Sequence, residues 1–438
     1  MESRATGARA EPAGSGRSEA IRLWDFPGYG KLWTATAVSA FGTHVTALAL
    51  QVLVVVTLHA SATEVGVINA SRWVPYLCFG LLAGVLADRS RRRPILVGTD
   101  LGRAGLLALI PVLAVVDWLT IPLLAAFLVV FGVLSLLNDA AYQSFVPALV
   151  DPAALTRANA RLDQGASVAR TTGPALAGGL VTVLGAPLAV LVDAASYLGS
   201  GLILATVRAD EPPTPRGSGA SAGRSGLWAE LREGVAWVYR HPMLAPYAVT
   251  SHVWFVFNSA LFTVFVPYVL RDLRIGALGL GVAYAAAGVG GVLGNAVSAR
   301  AGRGLGVGWT VVTAQCLFPV AFLAVVLSPA GSVACGMVAA GQFLFGVAVG
   351  LGSPNELSYR QAVTPGRLQG RMNATIRSMN WGLTAVGAPL GGLAADVIGY
   401  RPTLWIGIVG VAGTAVALAL SRFRHARISD ALPEPGRD

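Results

Sequence analysis

Apolar residues in this chain fall into long runs separated by short polar or Pro/Gly-rich breaks, and that alternation predicts twelve helices. Six are expected at about 31–57, 64–87, 94–116, 120–146, 160–184 and 187–207. Six more are expected at about 246–270, 277–299, 307–328, 332–357, 372–398 and 403–421. Each run is near or above the roughly 20 residues that cross a hydrocarbon core. The run at 95–116, interrupted only near its start by Asp100 and Arg103, has lipid as its only workable solvent. One long break stands at 208–240. Its first half (EPPTPRGSGASAGRSG) reads as flexible linker. Its second half sets Leu227, Leu231, Val235 and Val238 at helical spacing, which predicts a helix lying along the membrane surface. The expected organisation is a tail at 1–28, a six-helix bundle at 29–207, a linker with an interfacial helix at 208–245, a second six-helix bundle at 246–421 and a tail at 422–438.

Composition agrees with lipid as solvent. Of 438 residues, 54% are hydrophobic and 12% charged, about half the charge density of a soluble protein. The net charge of +10 would suit a nucleic-acid binder only if its cations formed one stripe or face. Here they sit in alternate gaps, as in Arg89, Arg91, Arg92 and Arg93, while the opposite gaps hold only Arg271, Arg274 and Arg401. That asymmetry places both termini in the cytoplasm of a bacterium, with the chain in its cytoplasmic membrane. The stretch 1–20 lacks an apolar central region and reads as a tail rather than a signal peptide. Cys78, Cys316 and Cys335 fall inside apolar runs without metal-ligand spacing and are expected to be small buried hydrophobes. The sole lysine, Lys31, is followed by Leu32, so no phosphate-cradling G-x-x-x-x-G-K-[ST] loop exists. Neither H-E-x-x-H nor G-x-S-x-G occurs, and an enzyme is not expected.

The two halves repeat. Asn159-Ala160, Gly173, Gly178 and Gly185 match Asn373-Ala374, Gly387, Gly392 and Gly399 at an offset of about 214 residues. Both segments enter from the same side, so the repeat is parallel, with two bundles related by an axis along the membrane normal. In this arrangement a binding site lies between the halves.

Two motifs carry mechanism. Gly84-Val-Leu-Ala-Asp88-Arg89-Ser-Arg91-Arg92-Arg93 ends the second run. Gly84 permits close helix approach, and Asp88 can sit at a helix N-terminus and pair with an arginine. This segment resembles the loop motif of the major facilitator superfamily, with Arg91 where a second glycine is usual. The resemblance implies a conformational latch formed by Gly84, Asp88, Arg89 and Arg92, with Asp100 and Arg103 one turn apart beside it. The counterpart at Gly294-Asn-Ala-Val-Ser-Ala-Arg300 is degraded. Gly173-Pro174-Ala-Leu-Ala-Gly178 resembles the antiporter signature of the same superfamily, one residue longer than its usual form. The stretches ALALQVLVVVTLHASATEVG, LVDPAALTRANARL, LVDAASYL and PGRLQGRMNATIRSMNWG are similar to the macrolide-efflux and enterobactin-exporter branch. The resemblance implies an all-α major facilitator fold and proton-coupled export of a drug, antibiotic or siderophore-like molecule. It also implies a gradient rather than a cofactor as the driving force, and a monomer in the bilayer with protons and a small molecule as partners. A carrier of a metabolite or lysophospholipid remains open, as does a non-transporting receptor.

Ionisable and polar side chains inside apolar runs are costly and therefore candidate sites. Asn138 and Asp139 lie on the fourth helix, which lines the central cavity of the fold the resemblance implies. His44 stands in Gly42-Thr43-His44, where the branch often has an acid, and an imidazole titrates near neutrality. Gln51, Arg72, Asp193, His252 and Asn258 complete the candidate proton or substrate contacts.

Overall fold

The structure, a computed structural model, describes residues 23–26, 28–79, 91–151, 154–207, 224–331 and 333–428. Among them the regular structure is helical throughout. The first half holds α1 (Tyr29–Val52), α2 (Ala62–Ser71), α3 (Arg92–Val115), α4 (Ile121–Leu149), α5 (Leu155–Leu184) and α6 (Ala186–Ala205). Helix α7 (Arg224–Arg240) precedes the second half, α8 (Leu244–Pro267), α9 (Ala277–Leu305), α10 (Val307–Val326), α11 (Ala334–Val363), α12 (Gly366–Ile398) and α13 (Tyr400–Leu420). Ten of these segments are long and apolar enough to cross a membrane. Helix α5 is long enough but less apolar, and α2 is broken. Gly84, Asp88 and Arg89 of the expected latch lie outside the described residues.

Within the first half, α1 packs against α5 and α6, and α3 against α4 and α6. Within the second, α9 and α10 pack against α11, and α8 against α12 and α13. The halves meet where α5 crosses α9 and where α2 crosses α12 and α8. Glycine makes both crossings. A Cβ on Gly281 of α9 would fall 2.5 Å from the Pro174 carbonyl oxygen of α5, and one on Gly66 of α2 would fall 2.5 Å from the Ala388 carbonyl oxygen of α12. Gly281 lies 215 residues after Gly66, so the sequence repeat is a repeat of interface geometry. Two further features recur at this spacing. A single π turn follows α1 at Leu53–Thr57 and α8 at Tyr268–Asp272. Gly185 and Gly399, at φ 79° and 90°, end α5 and α12.

Several boundaries and placements differ from expectation. Helices α5 and α12 begin about a turn before their apolar runs, because Leu155, Ala158 and Leu162, and likewise Leu368 and Met372, bury one stripe of an otherwise polar turn. The second helix, expected unbroken over 64–87, stops at Ser71 and resumes at 74. Pro75 has no N–H for the Ser71 carbonyl and disfavours helical backbone just before it. Cys78 and Cys316 are exposed and Cys335 half-buried, not buried as expected, because the apolar runs bearing them turn part of their surface to lipid.

Candidate functional site

Two cavities lie between the halves. The larger, about 570 Å³, runs between α1, α5, α8, α9 and α11 and is lined by His44, Gln51, Arg170, Tyr284 and Phe345 among others. That volume falls within the range of small-molecule sites. The smaller, about 270 Å³, lies between α1, α2, α4, α8 and α12 and includes Asn69, Arg72, Trp73 and Thr263. Ala47, Gln51 and Phe262 line both, so the two are compartments of one central space. Polar contacts cross it: Tyr284 donates its hydroxyl to Gln51 Oε1 at 3.2 Å, and Asn69 Nδ2 reaches Thr263 Oγ1 at 3.4 Å.

Pro174 shapes the larger compartment. Lacking an N–H, it cannot bond the Arg170 carbonyl one turn earlier. Gly288 of α9 fits against that turn, where a Cβ would fall 3.1 Å from the Arg170 carbonyl oxygen. Gly173 seats α1, since its Cβ would lie 2.8 Å from that of His44. Gly178 faces the start of α9. The helix-5 motif therefore joins the cavity wall on one side to the partner half on the other.

Behind the wall, the first half holds a polar network. Asp100 pairs with Arg103, accepts from Ser200 Oγ at 2.6 Å and from Asn138 Nδ2 at 3.2 Å, and is buried. Asn138 also donates to Thr99 Oγ1 at 2.8 Å. The Arg103 guanidinium lies 4.3 Å from the Tyr197 ring centroid, and Tyr197 meets Thr43 at 3.0 Å. Asp193, fully buried, accepts from Ser196 Oγ at 2.8 Å and sits against Gly42, where any side chain would collide with it. Asp100, Arg103, Asn138 and Asp193 thus form the support of the cavity, not its lining. Asp139 is reachable instead: it is exposed and accepts the Tyr76 hydroxyl at 2.8 Å.

Arg72 sits at the break in α2, held by the rings of Trp73 and Phe131 at 5.8 and 5.6 Å. Gly132 of α4 makes room for its carbonyl. The Trp73 ring stacks on Trp381 of α12 at 3.9 Å, closing the second compartment. Of the second-half candidates, neither His252 nor Asn258 lines a cavity. His252 is buried between Tyr239 of α7 (2.8 Å) and Asn380 of α12 (2.7 Å), a satisfied histidine that ties the surface helix to the bundle.

At the end of the bundle with few arginines, the two halves are clamped by groups the sequence reading passed over. Asp396 of α12 accepts from the backbone N–H groups of Ala62 and Thr63 at 2.9 and 2.8 Å, where helix dipole and unpaired donors favour an anion. Arg271 donates to the Val55 and Ala60 carbonyls at 2.9 and 2.7 Å, at the opposite pole of α1. The signal for α2 was legible: Ser61 and Glu64 form a capping box. The partner in the other half was not. At the Arg-rich end, Glu233 of α7 pairs with Arg367 and Arg371 of α12. The Arg367 hydrogen bond holds its carboxyl below the usual range.

The comparisons with known proteins match this architecture. A family model described as transmembrane secretion effector matches residues 27–435. The chain belongs to that family of major facilitator transporters. Its relatives in the family include the multidrug efflux pump Tap of Mycolicibacterium fortuitum, 25% identical over 81% of this chain and 88% of that one. The staphyloferrin A transporter of Staphylococcus aureus is 28% identical over 33% of this chain and 36% of that one. An uncharacterized transporter, y4rN of Sinorhizobium fredii, is 28% identical over 62% of this chain and 66% of that one. The fold of this secretion effector is shared with the nucleoside transporter NupG (TM-score 0.72, 10% identity, 90% of this chain and 99% of that one). It is also shared with a bacterial homologue of the iron transporter ferroportin (TM-score 0.68, 15% identity, 90% and 98%).

Proposed function

We propose that this transporter exports a small amphipathic molecule from the bacterial cytoplasm by alternating access, with a proton returning through the same central space. The observation that carries the reading is the central cavity between two halves clamped together at one end. Asp396 and Arg271 hold the Arg-poor end closed, while Ser353 and Pro354 extend the larger compartment along α11 toward the Arg-rich end. With twelve spans, both termini in the cytoplasm and the Arg-rich end facing inward, this state faces the cytoplasm and awaits substrate. Rocking of the halves about the α5–α9 and α2–α12 crossings then breaks the clamp and opens the other side. The relatives named as a multidrug efflux pump and a siderophore transporter support export of drug-like or chelator-like cargo.

Asp139 and His44 are the groups proposed to carry the proton. Asp139 is exposed beside the space and His44 lines it, whereas Asp100 and Asp193 are engaged inside the first half. Latching by Asp88, Arg89 and Arg92 sets the balance of the two states. No cofactor is required, and a monomer suffices because each chain contains both halves. The test is uptake into everted vesicles of a panel of amphipathic drugs and siderophores under an imposed pH gradient. Gradient-dependent uptake that falls at least about tenfold in Asp139→Asn is expected. Uptake unaffected by collapsing the gradient would overturn proton coupling.

A further inference from the structure

The charges around the cavity point to the kind of molecule it takes. Arg170 lines the larger compartment and Arg72 the smaller, and no aspartate or glutamate lines either. Among the described residues, neither arginine makes a hydrogen bond or ion pair; Arg72 is held only by the Trp73 and Phe131 rings. Asp139 is the nearby carboxylate, held by Tyr76 and within electrostatic reach of Arg72, Arg103 and Arg377. One acid does not balance the arginines, so the central space carries a net positive charge. His44, where an acid would have reduced that charge, adds none.

A cation inside a membrane protein without a counter-ion is expensive, and it persists where it serves a ligand or an ion path. The opposite wall is of another kind. Phe262, Phe345 and Tyr284 of the second half face the same space, and the Phe262 and Phe345 centroids lie 5.0 Å apart. A molecule satisfying both walls has an apolar or aromatic body and an acidic group. A guanidinium binds a carboxylate through two parallel hydrogen bonds, which the free ends of Arg72 and Arg170 can offer.

We infer that the central cavity binds an amphipathic carboxylate, its acid group held by Arg72 and Arg170 and its body against the aromatic wall of the second half. This rests on the reading of the cavity as the transport site and names the class of cargo. A cationic or neutral drug would meet the same aromatic wall but find no acid to receive its charge.

The test is binding, measured without a gradient so that it stands apart from coupling. The full chain in nanodiscs is titrated calorimetrically with naphthylacetate, naphthylacetamide and naphthylethylamine, with empty nanodiscs correcting for lipid partition. The carboxylate is expected to bind about tenfold or more tightly than the other two. Arg72→Gln and Arg170→Gln should each remove most of that preference while leaving amide affinity within about twofold. Arg72→Lys, which keeps the charge, should retain part of it and guards against a variant that merely misfolds. Amine binding as tight as the carboxylate, a preference untouched by both glutamine variants, or no saturable carboxylate binding by folded protein would each overturn the inference. Carboxylate binding with no gradient-driven movement would leave it standing and count against proton-coupled export alone.

Discussion

The two halves of this transporter share a skeleton and differ in chemistry. Gly173 packs on His44 in the first half, and Gly387 packs on Ser259 in the second, each pair separated from its counterpart by 214 or 215 residues. Gly66 and Gly281 make equivalent crossings. Yet Asp100 corresponds to Gln315 at an offset of 215, and Asp193 to Gly407 at 214. The first half buries carboxylates with fixed partners. The second fills its core with Phe262, Phe265, Phe318, Phe322 and Phe345. Backbone contact at the crossings admits only small residues, so those positions are constrained in both halves alike. Charge is constrained differently: each buried ion needs its own partners, and one half can carry that apparatus while the other supplies an apolar wall. Division of labour within a duplicated frame is what makes the cavity amphipathic.

The sharpest test of the asymmetry is removal of matched residues. Asp100→Ala strands the Arg103 guanidinium in a buried site and should destabilise the protein by about 3–5 kcal/mol. Gln315→Ala removes an amide whose buried Oε1 has no hydrogen bond, and should cost about 1 kcal/mol. Unfolding in mixed micelles reads both. Equal losses would mean that the Asp100 network contributes no more than ordinary packing.

The shared skeleton predicts the opposite pattern. Gly66→Val and Gly281→Val each force a side chain against partner backbone, an overpacking of about 1–3 kcal/mol that falls on the state in which these crossings are closed. Both should reduce transport by about tenfold or more, and to a similar degree. A tolerated substitution at one glycine alone would show that the crossings are not mechanically equivalent. A smaller effect is expected at the clamp. Asp396→Ala removes a cap from α2 worth about 1 kcal/mol, while the Ser61–Glu64 box remains. Cysteine placed at Gln51, with Cys78, Cys316 and Cys335 replaced by serine, should then be labelled about fivefold faster by an impermeant maleimide added from the Arg-poor side. Unchanged labelling would remove Asp396 from the gate.

Much of the frame was legible because lipid imposes it. Runs of about 20 apolar residues and the recurrence of Gly173, Gly178 and Gly185 at Gly387, Gly392 and Gly399 are one-dimensional signals, and they led directly to the helices and their pairing. The candidate site was legible only in its residue types. His44, Gln51 and Arg72 line the central space, yet Asp193 and His252, chosen on the same grounds, are packing and bridging groups. A polar residue in an apolar run looks alike whether it faces a neighbouring helix or a cavity. The Asp396 and Arg271 clamp was missed for a related reason: its acceptors and donors are backbone groups of the other half, which have no sequence signature. The break at Arg72 could have been read from Pro75, since proline acts on the turn before it.

The subtlest difference between the halves lies where each first helix begins. His241 accepts the backbone N–H groups of Met243 and Leu244 on Nδ1, both at 3.2 Å, and so caps α8. Its counterpart 215 residues earlier is Phe26, and α1 has no side-chain cap. Burial pushes the His241 imidazole below its ordinary range. Only the neutral ring can accept these bonds, and an imidazolium at a helix N-terminus is repelled by the dipole. With the folded value depressed, the cap is fully present above the unfolded pKa of about 6.5 and is lost as pH falls through the lower folded value. Acidification from pH 7.5 to 5.5 should therefore reduce hydrogen-exchange protection, corrected for intrinsic rates, by roughly threefold across 243–247, the scale of a weak cap. Protection across 28–34 should stay level, and His241→Phe should make the two segments respond alike. A parallel fall at both helix starts would instead locate the acid response in the bundle as a whole and erase this last distinction between its halves.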